Sequence, residues 1–267
     1  MDPRPIGVFD SGVGGLTVAR ALIDLLPTES IIYYGDTARG PYGPRARDEV
    51  RMYSKEITEL LVAEGVKMVV VACNSASSAG IDHLRESYPD LPVIEVWEPA
   101  ARAAVKTTRN RRIGVIGTQL TIDSRMYEWA IRSTHENVQT FSRACPLFVE
   151  FVERGETTGD RIMDVAREYL GPLREKDVDT LILGCTHYPL LRGVVQYVMG
   201  RGVALIESDK EVAIDVFAEL TRKDMWRPRD GDPEHRFLSS GDATLFAQLG
   251  QKFLGPEIAK VEEVPWT

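Results

Sequence analysis

Residues 66–73 read VKMVVVAC and residues 178–185 read VDTLILGC, so a short apolar run that ends in cysteine occurs twice. Runs of this length, rich in β-branched residues and bounded by glycine or polar residues, predict buried β-strands. A second pair precedes them in the same order, IGVFDS at residues 6–11 and IGVIGT at residues 113–118. The repeated order predicts two lobes of the same topology.

The rest of the chain alternates between apolar runs and amphipathic segments. Strands are predicted at residues 6–9, 31–34, 68–72, 93–96, 113–116, 181–183 and 203–206. Helices are predicted at residues 49–64, 121–133, 159–170, 211–221 and 245–254, with a polar loop region at 223–242. Strand–helix alternation favours an α/β fold of two similar lobes, each a mainly parallel sheet covered by helices, and we expect the active site in the cleft between them.

Composition excludes several classes of function. The 267 residues, 43% hydrophobic and 27% charged, are enough for a large core. The formal net charge of −8 lacks the basic footprint of nucleic-acid-binding proteins. No run of about 18 apolar residues predicts a transmembrane helix, and the N-terminus lacks the apolar region of a signal peptide. We therefore expect a cytoplasmic protein that binds neither nucleic acid nor membranes.

The chain has three cysteines, Cys73, Cys145 and Cys185. A small and odd number of cysteines argues against a disulfide framework. Cys145 lies in a mainly apolar stretch and is predicted to be buried. Cys73 and Cys185 end predicted strands, where ligands gather in α/β sheets. A thiol that begins a helix there has its pKa lowered by the helix N-terminus. We expect these two thiols to be reactive and to titrate near the working pH.

Other chemistries fit less well. The glycines at residues 12–15 do not complete G-x-G-x-x-G, because the third glycine would fall at Thr17, and no Walker motif occurs. A tight turn of backbone amides around a small anion remains open. Cys73, Cys185 and His187 offer three soft ligands without an evident fourth, so no metal is expected. No Cys-x-x-Cys redox pair is present.

Two thiols in similar lobes suit one reaction, inversion at a carbon. One thiolate removes a proton from one face of the carbon, and a thiol returns a proton to the other face. A closed cleft would supply the positioning that this exchange needs.

Five segments in order carry a resemblance to a known family. They are FDSGVGGLT at residues 9–17, YGDTARGPYG at 34–43, ACNSAS at 72–77, CPLFV at 145–149 and LGCTHYPL at 183–190. This ordered set resembles the glutamate racemase family over nearly the whole chain.

The resemblance implies interconversion of L- and D-glutamate without a metal or other cofactor, supplying D-glutamate for peptidoglycan, and a homodimer. It implies four catalytic residues: Cys73, Cys185, Asp10 and His187. It implies a substrate-binding set of Asp10, Ser11, Tyr42, Gly43, Asn74, Ser75, Thr186 and His187. Asp36 and Glu153 also match acidic positions of the family.

The resemblance further implies that the C-terminal helices complete the first lobe. That lobe would comprise residues 1–97 with 211–267 and carry Cys73; residues 98–210 would carry Cys185. Two positions depart from the family pattern. Ser75 replaces a usual threonine and keeps the hydroxyl, and Gly40 replaces a larger apolar residue, which we expect to loosen its loop.

Two alternatives stay open at this point. The first is a racemase for aspartate or a hydantoin, which would use the same chemistry. The second is a binding protein without turnover, such as a thiol-based sensor or a receptor for a small anion.

Overall fold

The structure, a computed structural model, describes residues 1–229, 231–258 and 260–266. They form two compact units, Met1–Val96 with Asp209–Thr267, and Trp97–Ser208. The lobes predicted above (1–97 with 211–267, and 98–210) stay a prediction, and positions 230, 259 and 267 of the first one lie outside the described residues.

Ten strands form within the described residues. In chain order they are β1 (Ile6–Asp10), β2 (Ile31–Gly35), β3 (Met68–Val71), β4 (Val93–Glu95), β5 (Arg112–Gly117), β6 (Gln139–Ala144), β7 (Thr180–Gly184), β8 (Ala204–Glu207), β9 (His235–Ser239) and β10 (Val261–Glu263).

The same residues form eleven α-helices and two short 3₁₀ helices. The α-helices are α1 (Leu16–Leu25), α2 (Arg47–Ala63), α3 (Asn74–Ser87), α4 (Trp97–Thr107), α5 (Gln119–Ser124), α6 (Met126–Thr134), α7 (Leu147–Arg154), α8 (Asp160–Glu175), α9 (Arg192–Met199), α10 (Ser208–Arg222) and α11 (Ala243–Leu254). The 3₁₀ helices span Tyr188–Leu191 and Gly255–Glu257. In the described part of the chain, no helix is both long enough and apolar enough to cross a membrane.

The first unit is built on a six-stranded sheet in the order β10-β9-β2-β1-β3-β4, with neighbouring strands parallel. All residues of β1, β2 and β3 are buried, as their apolar sequences require. Because the strands are parallel, the carboxyl ends of β1, β2, β3 and β9 lie at one edge of the sheet. Asp10, Asp36 and Cys73 lie at or just after these ends.

The second unit is built on a four-stranded parallel sheet in the order β6-β5-β7-β8. Its register repeats that of the first unit. Ile6 of β1 is paired with Met68 of β3, and the corresponding residues of the repeat, Ile113 of β5 and Thr180 of β7, are also paired. The prediction of an α/β fold with two similar parallel sheets covered by helices is confirmed.

Some predicted elements are wrong in detail. The predicted helix 121–133 is two helices, α5 and α6, because Arg125 between them adopts the left-handed conformation (φ 55°). The segment 223–242 is not all loop, since it contains strand β9. Strands β6 and β10 were not predicted.

Candidate active site

Cys73 lies directly after Ala72 beyond strand β3 and is the N-cap residue of helix α3. The residue is 5% exposed. Its Sγ accepts a hydrogen bond from the Ala76 amide at 3.5 Å and lies 3.7 Å from Ser11 Oγ. The thiol therefore begins a helix at the carboxyl end of a buried strand, as the sequence predicts.

Asp10 ends the neighbouring strand β1 and is fully buried. Its Oδ2 accepts the amides of Gly12 and Gly15 at 3.2 and 3.0 Å. Gly15 precedes helix α1, and a Cβ there would lie 2.5 Å from Asp10 Cβ, so only glycine lets the helix begin this close to the carboxylate. The backbone thus fixes the carboxylate beside the Cys73 site.

The prediction that the helix N-terminus lowers the pKa of Cys73 is wrong. Burial raises the pKa of the thiol well above its ordinary value, and the negative charge of Asp10 raises it further. The hydrogen bonds from Ala76 and Ser11 act in the opposite direction and are weaker. A neutral thiol is the stable form in this environment.

Asn74 and Ser75, both predicted to bind substrate, are the first two residues of α3, and each is 3% exposed. Ser11, the residue after β1, is partly buried. The structure brings these residues together with Cys73 at the sheet edge where β1 and β3 end.

Asp36 follows strand β2 and anchors the loop of residues 36–43. Its carboxylate is fully buried, and Oδ2 accepts hydrogen bonds from Tyr42 Oη and from Arg39 Nε, the latter at 2.7 Å. Oδ1 accepts Ser240 Oγ and Trp266 Nε1, each at 2.8 Å. The Tyr42 hydroxyl is therefore committed to Asp36, and its pKa is raised by burial and by that carboxylate.

The expectation that Gly40 loosens this loop is wrong. A Cβ at Gly40 would lie 2.2 Å from the carbonyl oxygen of Ser11, far inside van der Waals contact. Because glycine has no side chain, the loop packs directly on the backbone of Ser11. The Ser11 hydroxyl oxygen in turn lies 3.7 Å from Cys73 Sγ. Gly43 lies beyond it in a turn and is partly buried.

Cys185 occupies the corresponding place in the second unit, directly after strand β7. The residue is 6% exposed, and its Sγ lies 3.8 Å from Nδ1 of His187, which is 5% exposed. The Nε2 of His187 lies 3.4 Å from Oε1 of Glu153, a side chain that is 44% exposed. The three side chains lie in sequence from the buried sulfur to a partly exposed carboxylate.

Thr186, also buried, completes the turn between Cys185 and the 3₁₀ helix Tyr188–Leu191. Tyr188 is fully buried and donates its hydroxyl to the carbonyl oxygen of Cys145 at 2.9 Å. Cys145 is itself fully buried, and its thiol faces the carbonyl oxygen of Arg143 at 3.6 Å. Burial raises the pKa of the Cys145 thiol, as it does that of Cys73.

No group of three or more His, Cys, Asp or Glu residues within the described ranges could hold a metal ion.

Sequence reasoning missed the partners of Asp36. Ser240 and Trp266 lie far along the chain, and no local signal connects them to residue 36.

Comparison with known proteins places this arrangement among racemases. The Asp/Glu/Hydantoin racemase family matches residues 6–213. A glutamate racemase of Beutenbergia cavernae is 54% identical over 274 residues, covering 98% of this chain and 94% of that protein. One from Mycobacterium tuberculosis is 52% identical over 261 residues, covering 97% and 96%.

Solved structures agree. A glutamate racemase isoform of Bacillus anthracis superposes with a TM-score of 0.93 at 41% identity, covering 100% of this chain and 98% of that one. The glutamate racemase of Francisella tularensis in complex with D-glutamate gives a TM-score of 0.93 at 35% identity, covering 99% and 98%. An aspartate racemase of Picrophilus torridus shares the fold, with a TM-score of 0.55 at 16% identity over 84% of this chain and 100% of that one.

Proposed function

Because this chain belongs to the Asp/Glu/Hydantoin racemase family, we propose that it racemises its substrate with two thiols, Cys73 and Cys185. The activity is the interconversion of L- and D-glutamate, since relatives matching nearly the full length are glutamate racemases. One observation supports the two-thiol mechanism most strongly. Each sheet buries a cysteine after the corresponding strand, beside a carboxylate in one unit and an imidazole in the other.

In the proposed reaction, the thiolate of one cysteine removes the α-proton of glutamate and becomes a thiol. The thiol of the other cysteine then donates its proton to the opposite face of Cα and becomes a thiolate. The opposite direction exchanges the two roles. Both cysteines must therefore reach one Cα, and that arrangement of the two units is part of the proposal.

The thiolate must form in spite of the raised pKa of Cys73. The α-ammonium group of bound glutamate would place a positive charge near Cys73 and Asp10, which favours the thiolate. On the other side, His187 lies within reach of Cys185 and can accept or return a proton. Asp10 and His187 thus act as the proton-managing partners of the two sulfurs.

Charge that develops on the substrate needs hydrogen-bond donors placed in advance. We assign this role to backbone amides of Ser11, Gly43, Ser75 and Thr186, together with the side chains of Asn74 and Thr186. These groups would hold the substrate's carboxylates. Asp36 would support the site through Tyr42, and Glu153 through His187.

Wider context follows from the same proposal. The D-glutamate formed would enter peptidoglycan synthesis, and the enzyme would act in the cytoplasm as a homodimer. Neither nucleic acid nor a membrane is expected as a partner.

The deciding experiment incubates the purified protein with D-glutamate in D₂O. Circular dichroism follows the loss of optical activity, and proton NMR follows deuterium entering Cα. We expect racemisation with deuterium incorporation in the unmodified protein, and a loss of at least about a thousandfold in Cys73→Ser and in Cys185→Ser.

Cys145→Ser is the matched control, because this third buried thiol has no assigned role, and we expect its rate to stay within about twofold. Racemisation that survives in either Cys73→Ser or Cys185→Ser would refute the two-thiol mechanism. Turnover of aspartate with none of glutamate would refute the substrate assignment. Ligand binding without any turnover would favour the binding-protein alternative.

A further inference from the structure

Trp266, near the C-terminal end of the chain, lies against the loop of residues 36–43. Its indole Nε1 donates to Asp36 Oδ1 at 2.8 Å. Trp266 thereby contacts the carboxylate whose other oxygen holds the hydroxyl of Tyr42. The last described residue of the chain and a predicted substrate-binding residue share one buried acid.

Arg39 provides a second link between Trp266 and the loop. Its guanidinium carbon lies 3.6 Å from the centroid of the Trp266 ring and 4.0 Å from that of Tyr53, so the cation is stacked between two aromatic faces. Arg39 also pairs with Asp36 and Glu56. Trp266 therefore holds the loop through both members of the Asp36–Arg39 ion pair.

The C-terminal tail, residues 261–266, is itself fixed to the sheet. Strand β10 runs parallel to β9, the Val264 amide donates to the Ser239 carbonyl at 2.8 Å, and Tyr34 donates its hydroxyl to the Val264 carbonyl at 3.1 Å. The Tyr34 ring packs edge-on against Trp266, with centroids 5.6 Å apart. These contacts fix the position of Trp266 relative to the sheet.

We propose that Trp266 is a positioning residue for glutamate: it fixes the loop of residues 36–43 through Asp36 and Arg39, so that the Gly43 amide, which follows the anchored Tyr42, meets the substrate in place. This inference rests on the proposed function, which assigns a substrate contact to the backbone amide of Gly43. Without Trp266, Asp36 Oδ1 loses one of two donors in a buried place, and Arg39 loses one aromatic face.

The effect should fall on substrate affinity more than on proton transfer. Trp266 touches the loop that would bind glutamate, whereas Cys73 and Asp10 are held by the amides of Ala76, Gly12 and Gly15. A role that is only structural would lower the melting temperature without changing KM selectively.

The test measures kcat, KM and thermal unfolding for Trp266→Ala and Trp266→Phe in the full chain, with both glutamate enantiomers. For Trp266→Ala we expect KM to rise about tenfold, with kcat within about threefold of the unmodified protein. Trp266→Phe keeps an aromatic face on Arg39 and removes only the Nε1 donor, so its KM should rise about threefold. Trp226→Ala is the matched control, since Trp226 packs on Phe217 and its carbonyl oxygen accepts the Asp2 amide ahead of strand β1, and the KM of this variant should not change.

Unchanged KM in both Trp266 variants would overturn the inference, as would a fall in kcat with KM unaltered. If Trp266→Ala does not fold, the KM of Trp266→Phe decides alone. Cys73→Ser is measured alongside. If it loses racemisation while the Trp266 variants keep normal KM values, only the positioning role fails; if it keeps racemisation, the two-thiol mechanism fails instead.

Discussion

The Cys73 and Cys185 sites begin from the same strand position and differ in what faces the sulfur. Cys73 caps a fourteen-residue helix, receives the Ala76 amide and has the Asp10 carboxylate nearby. Cys185 enters a turn and a four-residue 3₁₀ helix, and its sulfur faces the His187 imidazole. The two units share the position of the thiol but differ in the side chain that faces it.

This difference separates two ways of managing a proton. At Cys73 the partners are the Ala76 amide and the Asp10 carboxylate, which the amides of Gly12 and Gly15 hold in place. At Cys185 the partner is itself titratable and leads on to Glu153, whose side chain is 44% exposed. In the proposed mechanism, the first site has fixed charges, whereas the second exchanges protons with solvent through His187.

The strongest way to break this comparison is to remove each proton partner. Asp10→Asn and His187→Asn should each lower kcat by roughly a hundredfold to ten-thousandfold, the usual contribution of a general acid or base. Circular dichroism assays with both enantiomers would measure the loss. His135→Asn, which alters a histidine of the second unit outside the site, is the control. An unchanged rate in His187→Asn would mean that Cys185 exchanges its proton without the imidazole.

The packing of the first site predicts the next effect. Gly40→Ala would push the loop away from the Ser11 carbonyl, so we expect KM for glutamate to rise about tenfold. Steady-state kinetics would measure it. Gly171→Ala in helix α8 is the control, because a Cβ there meets nothing within 4 Å and should leave KM unchanged. A normal KM in Gly40→Ala would show that the loop is free to move.

A smaller effect concerns the pKa of Cys73. With Cys145 and Cys185 replaced by serine, the rate of alkylation by iodoacetamide should still rise with pH above the ordinary thiol value of 9.0, because burial and Asp10 favour the neutral thiol. Asp10→Asn removes the negative charge, so its profile should move to lower pH and alkylation at pH 8 should be several-fold faster. A profile that does not move would show that the Asp10 charge does not act on this sulfur.

The smallest expected effect is that of Glu153→Gln. The carboxylate lies 3.4 Å from His187 Nε2, yet it is 44% exposed and screened by solvent. We expect a two- to threefold fall in kcat, which weakens further as salt is added. A loss as large as that of His187→Asn would instead make Glu153 a participant in proton transfer.

Sequence reasoning located the parts of the fold that are apolar and continuous. The strands of the repeat were predicted because every residue of β1, β3 and β7 is buried, which leaves an uninterrupted apolar run. β6, with the sequence QTFSRA, lies at the edge of its sheet and is only partly buried. Its polar residues interrupt the apolar run that would have predicted a strand. β9 was hidden by the charged residues around it.

The candidate site was predictable where it depends on neighbouring strands. Asp10 ends one strand and Cys73 comes just after the adjacent parallel strand, so the topology brings them close together. The partners of Asp36 could not be predicted, because Ser240 and Trp266 lie 204 and 230 residues away in the sequence. Their contacts form because the C-terminal strands β9 and β10 join the first sheet. The pKa of Cys73 was also misjudged, since the extent of burial cannot be read from a helix N-terminus alone.

The return of the chain to its first sheet has a consequence for synthesis on the ribosome. The second unit is one uninterrupted segment, Trp97–Ser208, whereas the first needs β9 and β10 from the end of the chain. Domains generally fold as units while the chain emerges. The second unit can therefore be complete while the sheet that carries Cys73 still has an open edge beside β2. Asp36 gains its last donor only when Trp266 has left the exit tunnel, so the Cys73 site can be finished only after the whole segment that carries Cys185 has been synthesised.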